Sequence, residues 1–158
     1  LIALWSSDQP AVFDADALAV CGEAVGANKV VTPHPGEAGR LLGVTSAHVQ
    51  ADRFRAVAAL VPGAVALLKG RHTLVREAET WVNPTGAPVL ATAGSGDVLT
   101  GVIGGLLARG AMALDAARTG AWLHGRAGEI LRARRPDGWI ADDIAAAIPD
   151  ALQELSCT

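Results

Sequence analysis

Cysteine is scarce: the chain has 2 in 158 residues, Cys21 and Cys157, far apart in sequence. Neither stands at a metal-ligand spacing or in a C-x-x-C pair, which excludes a disulfide framework and a thiolate metal knuckle. A free core thiol and a tail residue, in a reducing cytoplasm, are the expectation. Blocks of lysine or arginine are also missing; 13 basic residues against 16 acidic ones leave a net charge of −3, with the signs mixed along the chain. A nucleic-acid surface held by phosphate contacts needs a concentrated basic face, so that class is excluded. No apolar run reaches the length of a membrane-spanning helix, and Leu1-Ile-Ala-Leu-Trp5 lacks the basic n-region and cleavage site of a signal peptide, so neither is expected in these residues. Internal repeats and low-complexity tracts are absent too, beyond a general richness in alanine.

What is present fits one domain with a real core: 158 residues, of which 51% are hydrophobic. Short apolar β-type runs alternate with longer helical ones. Ala11–Phe13, Lys29–Thr32 and Ala64–Leu68 read as buried strands. Helices are predicted over Glu37–Leu42 and over Ala47–Leu60, the latter from Val49, Phe54, Val57, Ala58 and Leu60 at near-helical spacing. Thr73–Asn83 reads as an antiparallel hairpin turning near Glu77 to Glu79. Three more helices are predicted, Val98–Arg109, Ala113–Arg134 and Ala141–Leu155, with Arg134-Arg-Pro-Asp-Gly138 breaking the chain between the last two. Repeated strand, helix, strand units mean an α/β fold with a parallel sheet. The opening Leu1–Trp5 sits almost inside a strand pattern and begins on leucine, so the chain is expected to be cut from something longer.

One run carries the most chemistry, Leu90-Ala-Thr-Ala-Gly-Ser-Gly-Asp-Val-Leu-Thr-Gly101 and its continuation to Gly110. Ala93, Gly94, Ser95 and Gly96 leave room for a phosphate to approach the backbone, with free N–H groups and the positive end of a helix dipole behind them. Asp97, in the first helical turn, is placed to take a proton from a hydroxyl held there. An ordinary strand-to-helix turn with an acidic cap has the same sequence look. Gly101, Gly104 and Gly105 inside the helix, each costing about 1 kcal/mol relative to alanine, imply close packing against that helix.

Three further groups stand at the ends of predicted strands, where open parallel sheets bind ligands. In Thr32-Pro-His-Pro-Gly-Glu-Ala38, two prolines fix the backbone around His34; Glu37 is either a helix-start acid or a ligand organising Mg²⁺. In Lys69-Gly-Arg-His-Thr73, Lys69 either reaches solvent or acts as a point charge on phosphate, with Gly70 and Thr73 bonding phosphate or ribose. Asp14 and Asp16, two apart at a strand end, project to one side and hold an ion or a polar ligand, unless Asp16 caps a helix starting near Ala17.

Taken in order, Asp14-Ala-Asp-Ala-Leu18, Thr32-Pro-His-Pro-Gly-Glu-Ala38, Lys69-Gly-x-x-Thr73, Asn83-Pro-Thr-Gly86 and Leu90–Gly101 resemble the motifs of the ADP/ATP-dependent NAD(P)H-hydrate dehydratases, over nearly the whole chain. The resemblance implies a ribokinase-like three-layer α/β/α sandwich around a mostly parallel sheet, one partial domain over residues 1–158, with the family's N-terminal stretch missing. It implies a repair enzyme that restores NADH or NADPH from the S epimer of the hydrate by phosphorylating its C6 hydroxyl, with ADP in bacterial members, ATP in eukaryotic ones, and Mg²⁺. By position, the nucleotide segment falls on Lys69, Gly70, Arg71, His72 and Thr73, with Gly96; the hydrate contacts fall on His34 and Asp97; the anion hole falls on Ala93, Gly94, Ser95 and Gly96. Arg71 and His72 depart from the small residues often found in that segment. The resemblance also implies self-association, or association with the missing N-terminal part. Two rivals stand beside it: a ribokinase-like small-molecule kinase, and a non-catalytic nucleotide-binding or assembly module.

Overall fold

The computed structural model describes residues 1–22 and 25–156. Cys157 therefore lies outside the described residues. The element order is α1 (Ile2–Ser6), β1 (Ala11–Phe13), a 3₁₀ turn (Ala15–Val20), β2 (Lys29–Val31), α2 (Pro35–Leu42), α3 (Ser46–Ala51), α4 (Arg53–Ala59), β3 (Val65–Leu68), β4 (Leu74–Arg76), β5 (Thr80–Val82), a 3₁₀ turn (Pro88–Leu90), α5 (Ser95–Ala108), α6 (Ala113–Arg134) and α7 (Ala141–Ser156).

The strands form a 5-stranded sheet in the order β1-β2-β3-β4-β5. β1, β2 and β3 are parallel; β3, β4 and β5 are antiparallel, with Arg76 opposite Thr80 across the predicted hairpin turn. β2 and β3 are buried on both faces, which is why they read as unbroken apolar runs rather than alternating ones. Successive residues feed opposite layers. Phe13, Val31, Ala66 and Leu68 pack with Trp5, Leu18, Ala38, Val49 and Val57 on one side; Val30, Val65, Leu67 and Val75 pack with Leu99, Ile103, Leu107 and Ala117 on the other. The result is the expected three-layer sandwich.

Three expectations are corrected. Leu1–Trp5 is not a strand: residues Ile2–Ser6 form α1, whose Trp5 stacks edge-on against Phe13 at 4.9 Å and donates to the Gly22 carbonyl. An apolar run this short does not separate helix from strand by periodicity. The single helix over Ala47–Leu60 is two, because Asp52 leaves helical geometry (φ −144, ψ 81) and its side chain caps α4 through the Arg55 N–H. Close packing on α5 is present, through Gly120 of α6 against Ile103, but not at its own glycines: no described atom lies within 4 Å of a Cβ placed on Gly101, Gly104 or Gly105. The tight approaches belong to α6, where a Cβ on Gly120, Gly125 or Gly128 would meet Ile103, Thr85 or Leu90 at 2.6, 2.2 and 2.7 Å.

One buried charge is satisfied within the fold, and one thiol is left free. Lys29, 1% exposed, donates to the Ser7, Gln9 and Ala27 carbonyls, spending all three ammonium protons; burial pushes its pKa down, against the pull of Asp8. Cys21 is a free, half-buried thiol whose burial pushes its pKa up to about 11.

Candidate functional site

The site forms where β1, β2 and β3 end and α5 begins. Gly94 takes the left-handed conformation (φ 82) that turns the chain into α5 and offers no side-chain cap. Around it the Ser95 N–H bonds Thr92, and the Asp97 and Val98 N–H groups bond the Gly94 carbonyl. Among the described residues, the N–H groups of Ala93, Gly94 and Gly96 have no partner. Three free donors at the positive end of a 14-residue helix make a receptor for an anion.

Charge is arranged beside that receptor. A Cβ on Gly96 would lie 3.4 Å from Lys69 Nζ and 3.7 Å from Asp14 Oδ2, so the missing side chain lets the lysine reach the turn. Lys69 does not run out to solvent: its ammonium donates to Asp14 Oδ1 at 2.7 Å and lies 3.8 Å from Glu37 Oε2. Asp14 binds α5 through the Thr100 hydroxyl at 2.8 Å and accepts the Ala15 N–H. The chain leaves β1 at Phe13 and Ala15 turns left-handed (φ 48), so Asp14 and Asp16 do not share a strand face; Asp14 is the cap of the 3₁₀ turn and Asp16 is exposed.

Burial pushes the Asp14 carboxyl up, but the Lys69, Thr100 and Ala15 bonds outweigh it and hold the pKa below the ordinary carboxylate value. A lowered pKa means stability that is present above the unfolded value, about pH 4, and lost as pH falls through the folded one. In acid unfolding followed by circular dichroism, the stability advantage of the natural protein over Asp14→Asn is expected to hold above about pH 5 and shrink steadily below about pH 4.

The expected nucleotide segment is held from behind by a residue the sequence reading missed. Arg53 of α4 donates to the Leu68, Lys69, Arg71 and His72 carbonyls, and its Nη2 would lie 3.1 Å from a Cβ on Gly70. Gly70 (φ 144) and His72 (φ 53) make the bends, and the Thr73 hydroxyl donates back to the Gly70 carbonyl. Lys69 through Thr73, with Asn83–Pro88, Ser95, Gly96, Leu99, Ala121, His124 and Gly125, line a cavity of about 660 Å³. Asn83 is buried and donates to the Ala121 and Thr85 carbonyls, which docks the Asn83-Pro-Thr-Gly86 loop on α6 as one cavity wall.

His34 and Asp97 lie outside that cavity, both exposed. His34 caps α2: its Nδ1 accepts the Gly36 and Glu37 N–H groups, and the Glu37 carboxylate accepts the His34 N–H at 2.7 Å. That reciprocal cap fixes the ring with Nε2 outward, 3.4 Å from Glu37 Oε1. The Asp97 side chain has no hydrogen bond or ion pair among the described residues. The structure thus gathers Lys69, Gly70, Arg71, His72, Thr73, Ser95 and Gly96 around one cavity and leaves the Asp97 side chain uncommitted outside it.

Comparison with known proteins identifies the family. The family model for NAD(P)H-hydrate dehydratase matches residues 1–150. The chain belongs to the NAD(P)H-hydrate dehydratase family. It is 48% identical over 155 residues to the ADP-dependent (S)-NAD(P)H-hydrate dehydratase of Neisseria meningitidis serogroup B, covering 89% of this chain and 52% of that protein. The crystal structure of the ADP/ATP-dependent NAD(P)H-hydrate dehydratase from Bacillus subtilis, co-crystallised with ATP/Mg²⁺, superimposes with a TM-score of 0.83 at 30% identity over 96% of this chain and 57% of that one. Arabidopsis thaliana ribokinase, complexed with ribose and ATP, superimposes with a TM-score of 0.54 at 12% identity over 91% of this chain and 47% of that one, a likeness of fold alone: the architecture is ribokinase-like. The chain spans about half the length of the Neisseria dehydratase it matches.

Within this family member the least legible residue of the candidate site is His124. It stands mid-way along the alanine-rich α6, buried, with Nε2 3.0 Å from both the hydroxyl and the carbonyl oxygen of Ser95. Burial pushes its pKa down to about 4, against the Ser95 bond and with the Lys69 charge, so the ring is neutral at physiological pH.

Proposed function

We propose that this protein, as part of the length its relatives have, restores NAD(P)H from its S hydrate at the expense of ADP or ATP. The single observation that carries the reading is the anion turn itself: free Ala93, Gly94 and Gly96 N–H groups stand between a nucleotide-sized cavity and the unpaired carboxylate of Asp97. The terminal phosphoryl group of the nucleotide sits in the turn, its diphosphate along Lys69–Thr73 and its base and ribose against the Asn83–Pro88 wall. The hydrate approaches from the His34 side. Asp97 takes the proton of the C6 hydroxyl as that oxygen attacks phosphorus and the P–O bond to the leaving nucleotide breaks. The turn donors stabilise the charge on the transferring oxygens. The ring nitrogen lone pair then expels phosphate from C6, and loss of the C5 proton restores the double bond. The products are NAD(P)H, orthophosphate and AMP from ADP, or ADP from ATP.

Mg²⁺ is part of the reading, and the donor set decides how it would be held. Among the described residues no three His, Cys, Asp or Glu side chains group as a metal cage. Both Asp14 oxygens are engaged by Lys69, Thr100 and Ala15, while Glu37, whose Oε2 accepts the His34 N–H and lies 3.8 Å from Lys69 Nζ, is the second carboxylate beside Lys69. These residues fit a phosphate-borne ion with Glu37 at its edge, as Mg²⁺ is commonly bound; it would supply neutralisation of the phosphate charge. No helix among the described residues is long and apolar enough to cross a membrane, and a cytoplasmic setting belongs to the proposal, with the free Cys21 thiol in support.

Phosphorus-31 NMR of the protein with S hydrate, ADP or ATP, and Mg²⁺ tests the reading. Orthophosphate is expected to appear in step with hydrate consumed. An accumulating phosphorylated alcohol would replace the proposal with a kinase, and nucleotide binding without consumption would replace it with a binding module.

A further inference from the structure

The amino end of α5 is weakly anchored for an element that must hold a phosphoryl group in place. Its cap is a glycine without a side-chain bond, glycines flank Ser95 on both sides, and the Ser95 N–H reaches Thr92 only at 3.3 Å. Thr100, in the second turn, is tied to Asp14 at 2.8 Å; Ser95, in the first, is tied to α6 by His124. Its Nε2 lies 3.0 Å from the Ser95 carbonyl oxygen and 3.0 Å from the Ser95 hydroxyl oxygen. A carbonyl oxygen only accepts, so Nε2 carries the ring proton and donates, shared between the two oxygens. The same tautomer excludes a Ser95–His124 nucleophile, because a base would need its lone pair at Nε2. With the hydroxyl oxygen accepting from Nε2, its own proton is left to be donated elsewhere, and Ser95 and His124 both line the cavity.

Resting on the nucleotide reading of that cavity, we infer that His124 is a positioning residue for the phosphate turn. It pins Ser95 by main chain and side chain, so that the Ser95 hydroxyl donates to a nucleotide phosphoryl oxygen and Gly96 and Asp97 keep their places at the head of α5. The ring stays neutral through this work; Lys69, across the cavity, is the charged group that bears on it, and burial keeps it deprotonated down to about pH 4. A protonated ring would still donate, but no second base is needed or available at Ser95.

The test pairs two variants with one direct observation. Calorimetric titration with ADP and Mg²⁺ is expected to show His124→Leu, which keeps bulk and loses the donor, weakened about tenfold or more, and His124→Gln, whose amide reaches the same carbonyl, within about threefold of the natural protein. Circular dichroism establishes that each variant is folded. In the natural protein, imidazole nitrogen-15 shifts are expected to report the neutral Nε2–H form from about pH 5 to about pH 8. Natural protein that binds neither ADP nor ATP overturns the nucleotide reading itself. Natural protein that binds while folded His124→Leu binds equally well, or a ring found as the Nδ1–H form, overturns the positioning role alone.

Discussion

Asp97→Asn is expected to lower kcat by about 10²–10⁴-fold, the span of a lost general base, while affinity for ADP stays within about threefold. The separation follows from where the carboxylate sits. Asp97 is exposed, outside the cavity, and its side chain has no partner among the described residues, so the fold does not lean on it. Its N–H, which closes the first turn of α5 on the Gly94 carbonyl, is untouched by the change. Stability should fall by no more than about 0.3–1 kcal/mol, the value of an acid near a helix start. Steady-state kinetics with titration calorimetry and a melt check all three quantities. A variant that loses nucleotide binding together with turnover would make Asp97 part of the anion receptor instead of the base.

The second large effect is on the fold that carries the cavity wall. Gly125→Val is expected to destabilise the protein by about 3 kcal/mol or more, because its Cβ would fall 2.2 Å from Thr85 Oγ1 and 2.8 Å from the Thr85 main chain. Thr85 has no room to yield: its hydroxyl donates to the Trp122 carbonyl and its own carbonyl accepts from Asn83, while Glu129 holds the Gly86 N–H. Gly105→Ala on α5 is the contrast, since its Cβ would meet nothing within 4 Å. There the gain in helix propensity should stabilise by up to about 1 kcal/mol. Denaturant melts of the two variants are expected to move in opposite directions.

That contrast marks a limit of what the sequence discloses. Glycine inside α5 reads as a demand for close packing, yet the demand falls on Gly120, Gly125 and Gly128 of α6, because which helix face meets a neighbour depends on how the layers stack. The sheet was legible: β1, β2, β3 and the β4–β5 hairpin lie where apolar runs and turn residues put them. Boundaries set by a single residue were not, as with Asp52 splitting α3 from α4. At the candidate site, the strand-end and helix-start positions of Lys69, Gly96, His34 and Asp97 could be read, since they stand in short patterns whose backbone geometry is local. The supports could not. Arg53 and His124 act on loops far away in sequence, through a guanidinium on four carbonyls and an imidazole on Ser95; Asp14 stands out in the sequence, but as a ligand holder rather than as the carboxylate between Lys69 and Thr100. Each makes these contacts only when the sandwich is assembled.

The most direct measurement is recovery of the near-ultraviolet absorbance of reduced nicotinamide from S-epimer NADH hydrate, with ADP, with ATP and with no nucleotide, in the presence of Mg²⁺. The account predicts recovery that requires a nucleotide, with one NADH formed for each nucleotide consumed. Nucleotide consumption without any return of absorbance, or return at the same rate without nucleotide, would contradict it.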